Sequence, residues 1–116
     1  PRQSRVMDRW AEGLLQTLIE IAPKIRENQH DYQLMADFML SATMALNGFI
    51  AMGVSQDWAT YMIGHEITAL HGLTHGHTLA IVLPATLQVL REAKGDKLVQ
   101  YGERVWGITS GTKEER

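Results

Sequence analysis

Cysteine is absent from this 116-residue chain, which excludes a disulfide framework and a thiolate metal site and fits a reducing compartment, the cytoplasm. Charge of one sign is also missing: 11 lysines and arginines face 13 aspartates and glutamates, for a net charge of −2. With no basic stripe, nucleic acid is excluded as a partner class. No basic and apolar leader pattern opens the chain, and no secretory signal is expected. The longest apolar tract, residues 34–54, is interrupted by Asp37, Ser41, Thr43 and Asn47, which are costly at a bilayer centre. Its small residues, among them Ala36, Ser41, Ala45 and Gly48, indicate a buried helix with close neighbours, and no membrane is expected. Strand-type alternation, internal repeats and low-complexity segments are lacking too.

The pattern that is present is helical. Met7, Trp10, Leu14, Leu18, Ile21 and Ile25 recur at steps of three and four residues and define a first amphipathic helix over 7–25, which Pro23 should bend or end. Residues 28–31 carry turn and capping chemistry for a second helix over 31–52. Asp57 or Ser55 caps a third over 57–70, and Gly72 closes it. A fourth helix, 77–93, is apolar nearly all round and should lie in the interior, kinked at Pro84. Lys94, Gly95 and Asp96 read as a loop before a last helix over 96–107. Thr112-Lys113-Glu114-Glu115 has capping-box spacing, so a further helix begins there. With a first residue other than methionine, this suggests an internal piece of a longer protein, all-α and of about five helices.

Four of the five histidines lie at His65, His71, His75 and His77, and imidazole is the commonest ligand for transition metals. Tyr61 and His65 are four residues apart and share one helix face, while Glu66 points elsewhere. His75 follows in the turn after Gly72, close enough to fold back on that face. Singly, imidazoles near helix ends cap carbonyls or favour the helix dipole; their clustering favours a site. His65-Glu66 begins a zinc-protease pattern, but Ala69 stands where the second histidine belongs. A catalytic zinc or iron site needs three protein ligands, so some must lie outside this chain. Glycines at 64, 72 and 76 would let backbone approach a ligand or a neighbouring helix, yet no glycine-rich phosphate cradle follows a strand. The methionines at 35, 39, 44, 52 and 62 read as adaptable core filler.

The stretches Asp57-Trp58-Ala59-Thr60, Ile63-Gly64-His65-Glu66, His75-Gly76-His77-Thr78-Leu79-Ala80-Ile81-Val82-Leu83-Pro84 and Tyr101-Gly102-Glu103-Arg104-Val105-Trp106 resemble the iron-containing, group III alcohol dehydrogenases, above all their NADPH-dependent aldehyde reductases and butanol dehydrogenases. The likeness extends to residues 8–15 and 42–48. It implies a fold resembling part of the C-terminal domain of dehydroquinate synthase-like and iron-containing alcohol dehydrogenases. Residues 1–116 would then be a partial all-helical, metal-binding domain, with the nucleotide-binding domain absent. It also implies a divalent metal, iron first with zinc, manganese or nickel as alternatives, and NADP or NAD held mainly by the missing domain. An upstream aspartate and histidine complete a metal site to which His75 and the position of Tyr61 contribute. By the same resemblance His65 would lie by the nicotinamide and assist catalysis, and His71 would be a nearby cofactor contact.

Tyr61 departs from that pattern, since the position is normally histidine and a neutral phenol is a poor ligand for ferrous iron or zinc. The implied reaction is hydride transfer between NAD(P)H and an aldehyde or ketone, the metal acting as Lewis acid on a small-molecule alcohol or aldehyde. The alternative from a different class is a non-catalytic, stand-alone helical binding or oligomerisation module. Either reading predicts exposed apolar surface and association, as a homo-oligomer or with the rest of the parent chain.

Overall fold

A computed structural model describes residues 4–116. Five α-helices appear: α1 (Arg5–Glu27), α2 (Tyr32–Leu46), α3 (Ala59–His71), α4 (His75–Val89) and α5 (Arg91–Trp106), with a 3-10 turn at Phe49–Ala51. Among the described residues there is no strand. The chain divides into two compact units, one ending at Ser55 and one beginning at Gln56.

In the first unit, the Ser4 hydroxyl accepts the Met7 amide at 3.4 Å and starts α1. Asp31 accepts the Leu34 amide at 3.1 Å and starts α2, as short polar side chains at an N-cap do. Pro23 lies inside α1, which runs on to Glu27. The proline therefore does not end the helix. α2 is shorter than the pattern predicts, because Gly48 takes a left-handed backbone (φ 89°) and turns the chain after Leu46. The stretch 32–51 is long and apolar enough to cross a membrane by length and composition. The 15 residues of α2, however, rise only about 22 Å against a hydrocarbon core of about 30 Å. Ile21 of α1 and Ser41 of α2 are the buried residues here, and Trp10 meets Phe49 edge to face at 5.1 Å. Phe38, Met39, Leu40 and Leu46 are exposed, so α2 is not covered all round.

In the second unit, Asp57 accepts the Ala59 amide at 2.9 Å and pairs with Lys94 of α5. The carboxylate that orders the start of α3 thus also ties it to α5. Gly72 ends α3 in the left-handed conformation (φ 68°), the backbone state glycine adopts most readily. α4 begins two residues before the expected start, at His75. Thr78 and Val82, four residues apart and so on one face, are its buried residues. Ile81 (52 %) and Leu83 (46 %) remain exposed, which corrects the expectation of a wholly interior helix.

Lys94, Gly95 and Asp96 are not a loop. They lie inside α5, where Gly95 and Gly102 are buried, seven residues and nearly two full turns apart on one face. A Cβ at 95 would meet Lys113 Cε at 2.9 Å, and one at 102 would meet the Arg116 carbonyl oxygen at 3.0 Å. Glycine here serves close approach rather than a turn. The segment that approaches is held by Lys113 on Asp96 at 2.7 Å and Arg116 on Glu103. Thr112 donates its amide to Glu115 Oε2 at 2.8 Å, the returning bond of a capping box.

Candidate functional site

The corner between α3 and α4 brings together Tyr61 and two imidazoles, His65 and His75. Tyr61 and His65 stand one above the other on α3, because residues four apart share a helix face. The three residues 72–74 then reverse the chain, and His75 is the first residue of α4. The Tyr61 ring lies 4.2 Å from that of His65, centroid to centroid, and tilted by 56°. It meets His75 edge to face at 4.9 Å. His65 and His75 are 5.3 Å apart. Trp58 closes the other side of Tyr61, edge to face at 5.2 Å. Aromatic pairs at these separations and angles attract through ring quadrupoles, by about 0.5–1.5 kcal/mol each.

The cluster opens to solvent. His65 and His75 are exposed and Tyr61 is half-buried, so their polar atoms are reachable by a small molecule. Beneath them the helices are in near contact. Gly64 is buried, and a Cβ on it would lie 3.0 Å from Thr78 Oγ1 and 3.2 Å from Leu79 Cδ2. Thr78 is fully buried and donates its hydroxyl proton to the His75 carbonyl at 2.8 Å.

Three of the expected site residues, Tyr61, His65 and His75, are therefore brought together. His71, the last residue of α3, and His77, in the first turn of α4, are exposed and make none of these ring contacts. Trp58, Gly64 and Thr78 were not singled out from the sequence as neighbours of the cluster. The signal for Thr78 was the three-residue step after His75, from which a threonine hydroxyl reaches back to a helix carbonyl. Gly64 is marked in the sequence only as a place where the backbone could approach a ligand or a neighbouring helix, and α4 does approach it.

The donors in this corner do not by themselves make a divalent metal site. Among the described residues no group of three His, Cys, Asp or Glu side chains could hold an ion. His65 and His75 are joined only by a phenol, a poor ligand for a divalent ion while protonated. What the corner offers is two exposed imidazoles able to hold or pass a proton and a phenol hydroxyl between aromatic walls.

Comparison with known proteins places this corner in context. Residues 2–116 match the Fe-containing alcohol dehydrogenase family, C-terminal. The NADPH-dependent aldehyde reductase YqhD of Escherichia coli K12 is 54 % identical over 116 residues, all of this chain and 30 % of its own length. The NADH-dependent butanol dehydrogenase B of Clostridium acetobutylicum is 36 % identical over 104 residues, covering 89 % of this chain and 27 % of that enzyme. The crystal structure of E. coli K-12 YqhD superposes with a TM-score of 0.96 at 54 % identity, over 99 % of this chain and 30 % of that one. This chain spans about 30 % of the length of the curated relatives it matches. With the family pattern running from residue 2 to residue 116, the chain belongs to the Fe-containing alcohol dehydrogenase family and corresponds to its C-terminal part.

Proposed function

We propose that the protein to which these residues belong is a nicotinamide-dependent reductase of small aldehydes and ketones, running in reverse as an alcohol dehydrogenase. The observation that carries this is the exposed Tyr61–His65–His75 corner in a chain 54 % identical along its whole length to an NADPH-dependent aldehyde reductase. Residues 1–116 would form part of an all-helical domain closing one side of the active site, with the cofactor held mainly by a nucleotide-binding domain outside this stretch. Bound NADPH or NADH would supply the hydride.

His65 has the proton-handling role. Its ring is exposed, and the Tyr61 ring at 4.2 Å limits its swing, so a ring nitrogen can meet the oxygen of a carbonyl that gains negative charge as hydride arrives. A positioned imidazole in that role contributes about 10²–10⁴-fold in rate. Tyr61 and Trp58 wall the site and exclude water from one side. His71 sits at the end of the same helix, where it would reach the cofactor rather than the cluster. His75 is the ligand the domain would offer to iron, or to zinc, manganese or nickel; the donors beside it do not complete a site.

The apolar side chains left exposed on α4 and α5, Ile81, Leu83 and Trp106, support packing against the remainder of the parent chain or a second copy. A chain without cysteine fits the cytoplasm.

The test is NADPH oxidation followed at 340 nm with a short aldehyde, on the whole protein and on His65→Gln, which keeps size and polarity. A loss of about 10²-fold or more in kcat, with the KM for NADPH unchanged, is expected. An unsubstituted protein inert toward aldehydes with both NADPH and NADH would refute the reading and favour a non-catalytic helical module.

A further inference from the structure

The rings of Tyr61 and His65 ride on α3 and that of His75 on α4, so their mutual distances depend on how closely the two helices approach. The two helices come close directly under the cluster. Gly64, the residue before His65, is buried, and its missing side chain is replaced by Thr78 and Leu79 of α4, 3.0 and 3.2 Å from where a Cβ would stand. Contacts that short are tighter than a real Cβ tolerates without its neighbour giving way. Thr78 is fully buried, and its hydroxyl is bonded to the carbonyl of His75 at 2.8 Å. One side chain therefore touches the backbone beside one imidazole and holds the backbone of the other.

We propose that Gly64 and Thr78 are positioning residues that set the separation of the His65 and His75 rings, Gly64 by letting α4 seat against α3 and Thr78 by tying the first turn of α4 to that seat. The inference rests on the proposed function only for its catalytic consequence; the ring geometry can be read without cofactor or metal. Gly76 supplies an internal control. It adjoins His75 on the same helix, yet a Cβ there meets nothing within 4 Å. A methyl group beside an imidazole is harmless there and disruptive at 64, if the seat is what matters.

The experiment is proton NMR on the full chain with labelled histidine and tyrosine, following the cross-peaks between the Tyr61 and His75 rings. They should weaken in Gly64→Ala, vanish in Gly64→Val, and persist in Gly76→Ala. Thr78→Ser, which keeps the hydroxyl, should retain them; Thr78→Val, which keeps the volume and loses the bond, should weaken them while helix content by circular dichroism is unchanged. Unaltered cross-peaks in both Gly64→Ala and Thr78→Val, or equal losses in Gly76→Ala and Gly64→Ala, would overturn the proposal. In the whole protein, displacement of the rings by about 1 Å should lower kcat about a hundredfold with cofactor KM unchanged. If the unsubstituted protein reduces no aldehyde, the functional reading fails while the ring result stands on its own.

Discussion

Replacing Tyr61 by histidine should give the α3–α4 corner three imidazoles where it now has two, and the spacing of the existing pair sets what to expect. A ring nitrogen bound to a tetrahedral ion at about 2.1 Å leaves the centroids of two such imidazoles about 5 Å apart. His65 and His75 stand at 5.3 Å, and position 61 is close to both, at 4.2 and 4.9 Å. Tyr61→His therefore completes a three-imidazole set of the kind that holds zinc with one position open. Binding to the native state alone, at free zinc about 100 times Kd, adds about 2.7 kcal/mol, which for a chain of this size raises Tm by about 10 °C. Thermal melts of the unsubstituted and Tyr61→His chains, with zinc and again after a chelator, measure this. A zinc-dependent rise no larger in Tyr61→His than in the unsubstituted chain would refute the argument that the phenol is what interrupts the donor set.

Other outcomes follow from the packing. Lys94 as hydrogen-bond partner, then the Ala59 amide, then the Lys94 charge hold the Asp57 carboxyl below its ordinary value of 3.8. A carboxyl depressed by folding contributes stability that is present above pH 3.8 and lost as pH falls through the lower folded-state value, so Asp57→Asn should flatten the acid limb of urea midpoint against pH. Gly13 has no atom within 4 Å of a would-be Cβ and lies within α1, so Gly13→Ala should raise unfolding stability by about 0.5–1 kcal/mol through helix propensity. Gly95→Ala should gain nearly as much, since only the flexible end of Lys113 must move, whereas Gly102→Ala meets the Arg116 backbone and should gain less or lose; denaturant melts rank the three. Val82, at 7 % exposure the most buried apolar side chain of α4, should cost about 2 kcal/mol on replacement by alanine, read from the same melts.

The helical period and the caps were legible because their causes are local. Asp31 and Gly72 act on residues three and four positions away, and each does so in the structure. Gly95 misled for the opposite reason. A glycine between a lysine and an aspartate reads as a turn, yet its place inside α5 follows from Lys113, 18 positions later in the chain. Pro23 does not end α1 at its own position, since it lies in the final turns of a 23-residue helix that runs on to Glu27, where a lost hydrogen bond interrupts little that follows. The convergence of Tyr61, His65 and His75 was visible as a four-residue step and a glycine turn. That Thr78 is what meets Gly64 beneath it was not, because a glycine marks where backbone can be approached but not which side chain of another helix arrives there.

All three rings of the corner come from 15 consecutive residues, Tyr61 to His75, joined by one short reversal. The chain needed to bring them together is therefore brief, and the entropy lost in closing it is small and grows only slowly with length. Such a site belongs to the fast, low-contact-order part of folding: the arrangement of imidazoles exists as soon as one helical hairpin does, ahead of any long-range assembly. It can drift in sequence without asking the distant parts of the fold to change with it.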